Sequence, residues 1–125
     1  MENILKNQRK EPRVEPPFVL RFRNIIPLAK HDWEITSIGN ISKSGIMFSA
    51  FQHHKTFSEL EIRLKIPMLK EENVFWGRVV RCSNLDLDGW YKLGATLSAG
   101  DEETRAAFNK MMDSLIEKKN RSNAA

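Results

Sequence analysis

The feature that most narrows the folds open to this chain is a change in the period of its apolar residues near residue 101. Before that point the period is two. Phe18, Leu20 and Phe22 alternate with Val19, Arg21 and Arg23, the pattern of a strand buried on one face. Further strands are expected at about 33–42, 45–51, 59–66, 73–83 and 90–98, and residues 61–66 and 91–97 alternate most cleanly. Turn chemistry separates them, as in Glu71-Glu72-Asn73 and in Asp88-Gly89, a strong hairpin signal. After residue 101, Phe108, Met111, Met112, Leu115 and Ile116 fall at i, i+3, i+4, i+7 and i+8, the stripe of an amphipathic helix. Ser98 or Asp101 can cap its start, Glu102 and Glu103 suit the positive end of its dipole, and Lys118, Lys119 and Arg121 suit the negative end. Strands followed by a single helix predict a mainly β fold: a six-stranded antiparallel β-barrel with a C-terminal α-helix packed on it.

A chain of 125 residues makes one domain and can bury a core without disulfides or metals. Residues 1–15 hold few apolar positions and no sustained period, so they read as a flexible N-terminal arm; 16–119 read as barrel plus helix, and 120–125 as a disordered tail. Pro16-Pro17 stiffens the junction of arm and barrel. No apolar run approaches the roughly 20 residues that span a bilayer, the N-terminus lacks a secretory signal, and Cys82 has no cysteine to pair with, so a cytoplasmic location without membrane insertion is expected. The net charge of +4 is too small to argue by itself for nucleic acid. Its distribution is uneven, with Lys6, Arg9, Lys10, Arg13, Arg21 and Arg23 concentrated near the N-terminus.

Two polar segments carry the candidate chemistry. In Arg9-Lys10-Glu11-Pro12-Arg13, two arginines four apart can each present a planar fork to a phosphate or to the O6/N7 edge of a guanine. In Asn40-Ile41-Ser42-Lys43-Ser44-Gly45, Asn40 offers an amide to a base edge, the Ser42 hydroxyl can serve a ligand or the turn, and Gly45 allows close backbone approach or positive φ. Neither segment is specific alone, since a solvated basic arm and an ordinary strand-to-strand turn use the same residues. Other features suggest no chemistry. Asn84–Gly89 starts like a calcium loop, but its twelfth position is Ala95, where a bidentate glutamate is required. His31, His53, His54 and Cys82 have no metal-ligand spacing, and no nucleophile sits in a recognisable catalytic setting, so neither a metal, a cofactor nor an enzyme activity is expected. Trp33, Trp76 and Trp90 are read as core or barrel rim.

Taken together the two segments resemble the PilZ family of bacterial cyclic di-GMP receptors. In that family an RxxxR segment leads into the first strand and a [D/N]xSxxG segment joins the second and third. The resemblance continues through Trp76-Gly77-Arg78-Val79-Val80-Arg81 and Leu93-Gly94-Ala95-Thr96-Leu97 to the acidic start of the helix, covering residues 9 to about 116. It implies a PilZ-like barrel in which Arg9 and Arg13 grip phosphate and guanine edges, Asn40 meets a guanine, Ser42 lies by the ligand or braces the turn, and Gly45 permits close packing. Asn40 stands where many members carry Asp, and a neutral amide accepts less strongly from guanine N1–H and N2–H than a carboxylate does. The implied function is that of a second-messenger receptor: cyclic di-GMP orders the arm and alters contacts with a downstream protein partner or with another copy. Two alternatives stay open, a barrel of this fold that acts only as a protein-interaction module and a small barrel that binds single-stranded nucleic acid.

Overall fold

A computed structural model describes residues 12–14, 19–26, 33–66, 69–85 and 89–124. The strands are β1 (Val19–Ile26), β2 (Glu34–Ile41), β3 (Gly45–Ala50), β4 (Glu59–Lys65), β5 (Glu72–Leu85), β6 (Trp90–Thr96) and the two-residue β7 (Ser98–Ala99), followed by helix α1 (Glu102–Ala124). All pairings are antiparallel, in the order β4-β1-β2-β3-β6-β5, and β4 pairs with β5 to close the ring. This is the expected six-stranded barrel, with β7 added against β5.

Closure depends on the length of β5. Its first half pairs with β4 from Glu72 to Arg78 and its second half with β6 from Val79 to Leu85. Where it passes from one neighbour to the other, Gly77 is held so tightly that a Cβ would lie 2.6 Å from the Thr96 carbonyl oxygen and 2.9 Å from Ile62 Cδ1. At the far end of β5, Gly89 (φ 79°) ends the hairpin turn into β6, as the Asp88-Gly89 signal predicts.

Period two fills the interior. Leu20 and Phe22 of β1, Leu60, Ile62 and Leu64 of β4, and Phe75 and Val79 of β5 are buried; Phe18 lies outside the described residues. Phe22 packs on Phe48 with ring centroids 4.7 Å apart. Helix α1 is seated by Phe108, whose ring meets Phe75 edge-on at 5.1 Å, and by the buried Met111 and Met112. Of the two candidate caps, Asp101 takes the role: its carboxylate accepts the Thr104 N–H at 2.7 Å, while Ser98 belongs to β7. The helix runs past Lys119 to Ala124, supported by an i,i+4 ion pair between Glu117 and Arg121. None of the three tryptophans is a core residue; all stand on the outside of the barrel.

Candidate functional site

The Ser42–Gly45 turn is built from its own atoms. The Ser42 N–H donates to the Gly45 carbonyl at 2.8 Å, and the Ser42 hydroxyl oxygen accepts the Gly45 N–H at 3.1 Å. Ser42 is 8% exposed, and its hydroxyl braces the turn, one of its two foreseen roles. The turn is tied outward as well: the Leu97 N–H donates to the Ser44 carbonyl, and Lys43 pairs with Asp113 of α1 at 2.8 Å. Gly45 has no positive φ, and a Cβ there would make ordinary contacts of 3.5 Å with Ser42 Oγ and 3.7 Å with the Ala95 carbonyl oxygen. The barrel itself does not require glycine at that position.

Asn40 reaches the outer wall through a break in alternation. Ile38 is buried and pairs with Phe48, so period two would turn residue 40 inward. A bulge at Gly39 shifts the register so that Asn40 pairs with the half-buried Met47, and Ile41 enters the core instead. The same device recurs on β5. Val79 is buried opposite Ala95, a bulge at Val80 follows, and Arg81 is thereby turned outward opposite Gly94. The two bulges place Asn40, Met47, Gly94 and Arg81 in one cross-strand row over β2, β3, β6 and β5.

Arg13 joins this row by backbone pairing. Val14 exchanges two hydrogen bonds with Ile41 (2.9 and 2.8 Å) and is itself 5% exposed, so this part of the 1–15 segment is packed into the barrel. A valine alone in a polar stretch was the only sequence sign of it. Lys119, near the C-terminal end of α1, donates to the Arg13 carbonyl oxygen at 2.7 Å. The result is a cleft of about 200 Å³ lined by Arg13, Asn40, Ser42, Gly45, Arg81 and Gly94 among others. Four of the five predicted site residues therefore meet in one place; Arg9 lies outside the described residues. Arg81 was not predicted. Its signal was present, as an arginine falling at an inward position two residues after Val79.

The cleft brings two arginines, Arg13 and Arg81, beside the Asn40 amide. Among the described residues, the Asn40 side chain makes a long contact, Nδ2 to Met47 Sδ at 3.8 Å, and no carboxylate pairs with Arg81. No group of His, Cys, Asp or Glu side chains that could hold a metal occurs among the described residues, and no described helix is long and apolar enough to cross a membrane.

No protein-family model and no curated protein matches the sequence. Solved structures do. The chain is similar to the K. pneumonia MrkH–c-di-GMP complex, with TM-score 0.71, 17% identity, and coverage of 92% of this chain and 55% of that one. The Bacillus subtilis inhibitor of motility MotI/DgrA gives TM-score 0.68 at 14% identity, covering 91% of this chain and 52% of that one. The PilZ domain of Escherichia coli YcgR, solved with c-di-GMP, gives TM-score 0.63 at 14% identity, covering 94% and 97%. The chain thus spans about half the length of MrkH and of MotI/DgrA, and nearly all of the YcgR domain. What these likenesses define is a class of fold: the PilZ-type barrel with a C-terminal helix. This chain has that fold, with a polar cleft built on its outer wall.

Proposed function

We propose that the chain is a cyclic di-GMP receptor without catalytic activity. The observation that carries the proposal is the convergence of Arg13, Asn40, Ser42 and Gly45 on one cleft, in a fold shared with proteins whose structures hold c-di-GMP. Arg13 and Arg81 supply guanidinium forks for phosphate or guanine, each good bidentate guanine contact being worth about 1–3 kcal/mol. Asn40 presents its amide to a base edge, Ser42 holds the turn rigid, and the missing side chain of Gly45 leaves room for a ligand atom. The cleft takes part of the dinucleotide, and the segment bearing Arg9 closes on the rest. Ordering a segment costs on the order of 2–5 kcal/mol, which makes closure the natural signal to a protein partner.

The test is a calorimetric titration of cyclic di-GMP into the purified chain, with Arg9→Ala and Arg13→Ala alongside and a linear guanine dinucleotide as control. Saturable binding that either substitution weakens by about tenfold, equivalent to 1.4 kcal/mol, is the expected result. Absence of both heat and thermal shift at high ligand concentration would exclude the receptor reading.

A further inference from the structure

The wall that carries the cleft has a second end. About 20 Å along β3 from Gly45, at 3.4 Å per residue, three large apolar side chains stand in solvent: Ile35 (73% exposed), Phe51 (66%) and Trp90 (41%). They form a ridge. The Phe51 and Trp90 rings meet edge to face with centroids 5.4 Å apart, and the Phe51 N–H donates to the Glu34 carboxylate at 2.8 Å, which sets Phe51 beside the start of β2 where Ile35 lies. Contiguous exposed apolar side chains of this size mark interaction surfaces.

Between ridge and cleft the wall is low and basic. Ser49 and Ser83 flank Lys92 in register, and the row beyond holds Arg81 opposite Gly94. Among the described residues, neither Lys92 nor Arg81 has a carboxylate partner. Glu34, the acidic side chain beside the ridge among the described residues, is already bonded to the His54 ring at 2.9 Å and to the Phe51 amide.

We infer that the Ile35–Phe51–Trp90 ridge and the Lys92/Arg81 floor form one docking surface for an acidic segment of a partner protein that carries apolar anchors. The ridge takes the anchors and the floor takes the charge. A second copy of this chain fits poorly. Two-fold docking centred on the floor would set basic charge against basic charge, which opposes association. The position of the surface also gives the coupling a sign: phosphates bound beside Arg81 reduce the positive charge offered to an acidic segment, so ligand weakens docking, and by linkage docking weakens ligand binding by the same factor. Only this coupling rests on the cyclic di-GMP reading.

The experiment titrates the isotope-labelled full chain, followed by nuclear magnetic resonance, with a synthetic peptide of alternating glutamate and leucine, and separately with its lysine-for-glutamate counterpart. The acidic peptide is expected to shift the amides of Ile35, Phe51 and Lys92 and the Trp90 indole. Phe51→Ser combined with Trp90→Ser should weaken it about tenfold, and Lys92→Glu about fivefold, with the thermal midpoint unchanged because all three side chains face solvent. Cyclic di-GMP at saturation should weaken the peptide about threefold or more. The inference is overturned by an acidic peptide that causes no shifts or binds both variants as well as the parent, by equal binding of the basic peptide, or by ridge shifts that appear on concentrating the protein alone. Calorimetry of cyclic di-GMP on the Phe51→Ser, Trp90→Ser variant separates the two readings, since ligand binding there should equal that of the parent.

Discussion

The outer face of β1 and β4 and the outer wall of β2, β3, β6 and the second half of β5 use arginine in opposite ways. On the first, the guanidinium groups have partners within the fold. Arg23 and Arg63 both bond the Glu61 carboxylate, at 2.8 Å for the closest Arg23 contact and 2.5 Å for that of Arg63, and Arg21 bonds Glu72 at 2.7 Å. Arg21 and Arg23 also lie over the Trp33 ring, each 4.5 Å from its centroid. On the second wall Arg81 and Lys92 meet no carboxylate among the described residues. The number of cations does not separate the faces. What separates them is whether a carboxylate among the described residues answers the charge.

The closing seam of β5 and the cleft differ in their glycines in a parallel way, and here the largest effect is expected. Gly77 lies on the closing seam, where a Cβ would press on the Thr96 carbonyl oxygen at 2.6 Å, whereas a Cβ at Gly45, beside the cleft, would make only ordinary contacts. Gly77→Ala should therefore cost about 3 kcal/mol of stability by denaturant unfolding. Gly45→Ala should stay within about 0.5 kcal/mol of the parent yet weaken cyclic di-GMP binding. Equal destabilisation by both would show that Gly45 is structural and would break the contrast.

Next in size is Glu61, 4% exposed beneath its two arginines. Burial alone would raise its pKa, but the hydrogen bonds from Arg23 and then Arg63 outweigh burial and hold it below the ordinary 4.5. A carboxyl depressed in the folded state contributes stability that is present above about pH 4.5 and is lost as pH falls through the depressed value. Glu61→Gln should remove about 2 kcal/mol at neutral pH, less than for a fully buried pair because both guanidiniums reach water. It should also flatten the acid limb of the stability curve while leaving cyclic di-GMP affinity unchanged. An acid limb as steep as the parent's would place the acid-sensitive charge elsewhere.

Most of the barrel was legible in the sequence because its strands keep strict alternation, as at Leu60, Ile62 and Leu64, and because the helix stripe from Phe108 has a different period. The parts that were not legible share one physical origin, the relation between distant segments. That Val14 would pair with Ile41, or that the Arg21 charge would be answered by Glu72, depends on barrel closure, which no local pattern contains. The bulges at Gly39 and Val80 are intermediate. A polar residue two positions after a buried one announces that the register must shift, but not which row the displaced side chain will join.

Arg81 tests whether the bulge on β5 serves the ligand. It is exposed and without a carboxylate partner among the described residues, so Arg81→Ala should leave the thermal midpoint where it is. If its fork reaches a phosphate or a guanine, the same change should weaken cyclic di-GMP about tenfold, near 1.4 kcal/mol, and Arg81→Lys should recover only part of that because an ammonium cannot make the paired contacts. Unchanged calorimetric affinity in Arg81→Ala would confine the site to Arg13 and the Asn40–Gly45 turn.

The smallest effect should come from Lys119, which touches neither strand wall. Its ammonium bonds the Arg13 carbonyl oxygen at 2.7 Å, and one face of the same helix holds the turn through the 2.8 Å pair between Asp113 and Lys43. Helix α1 therefore braces both motif segments from behind, and its contribution is to hold Arg13 at the angle that Val14 pairing sets. A solvent-exposed contact of this kind is worth about 0.5 kcal/mol, so Lys119→Ala should cost no more stability than that and should lower ligand affinity at most two- to threefold, through faster dissociation. Because the lysine bonds a backbone carbonyl, Lys119→Arg should retain full affinity and Lys119→Glu should not. A Lys119→Glu variant that binds as the parent does would mean that Val14 pairing alone fixes Arg13, and that the helix contributes to the barrel without contributing to the cleft.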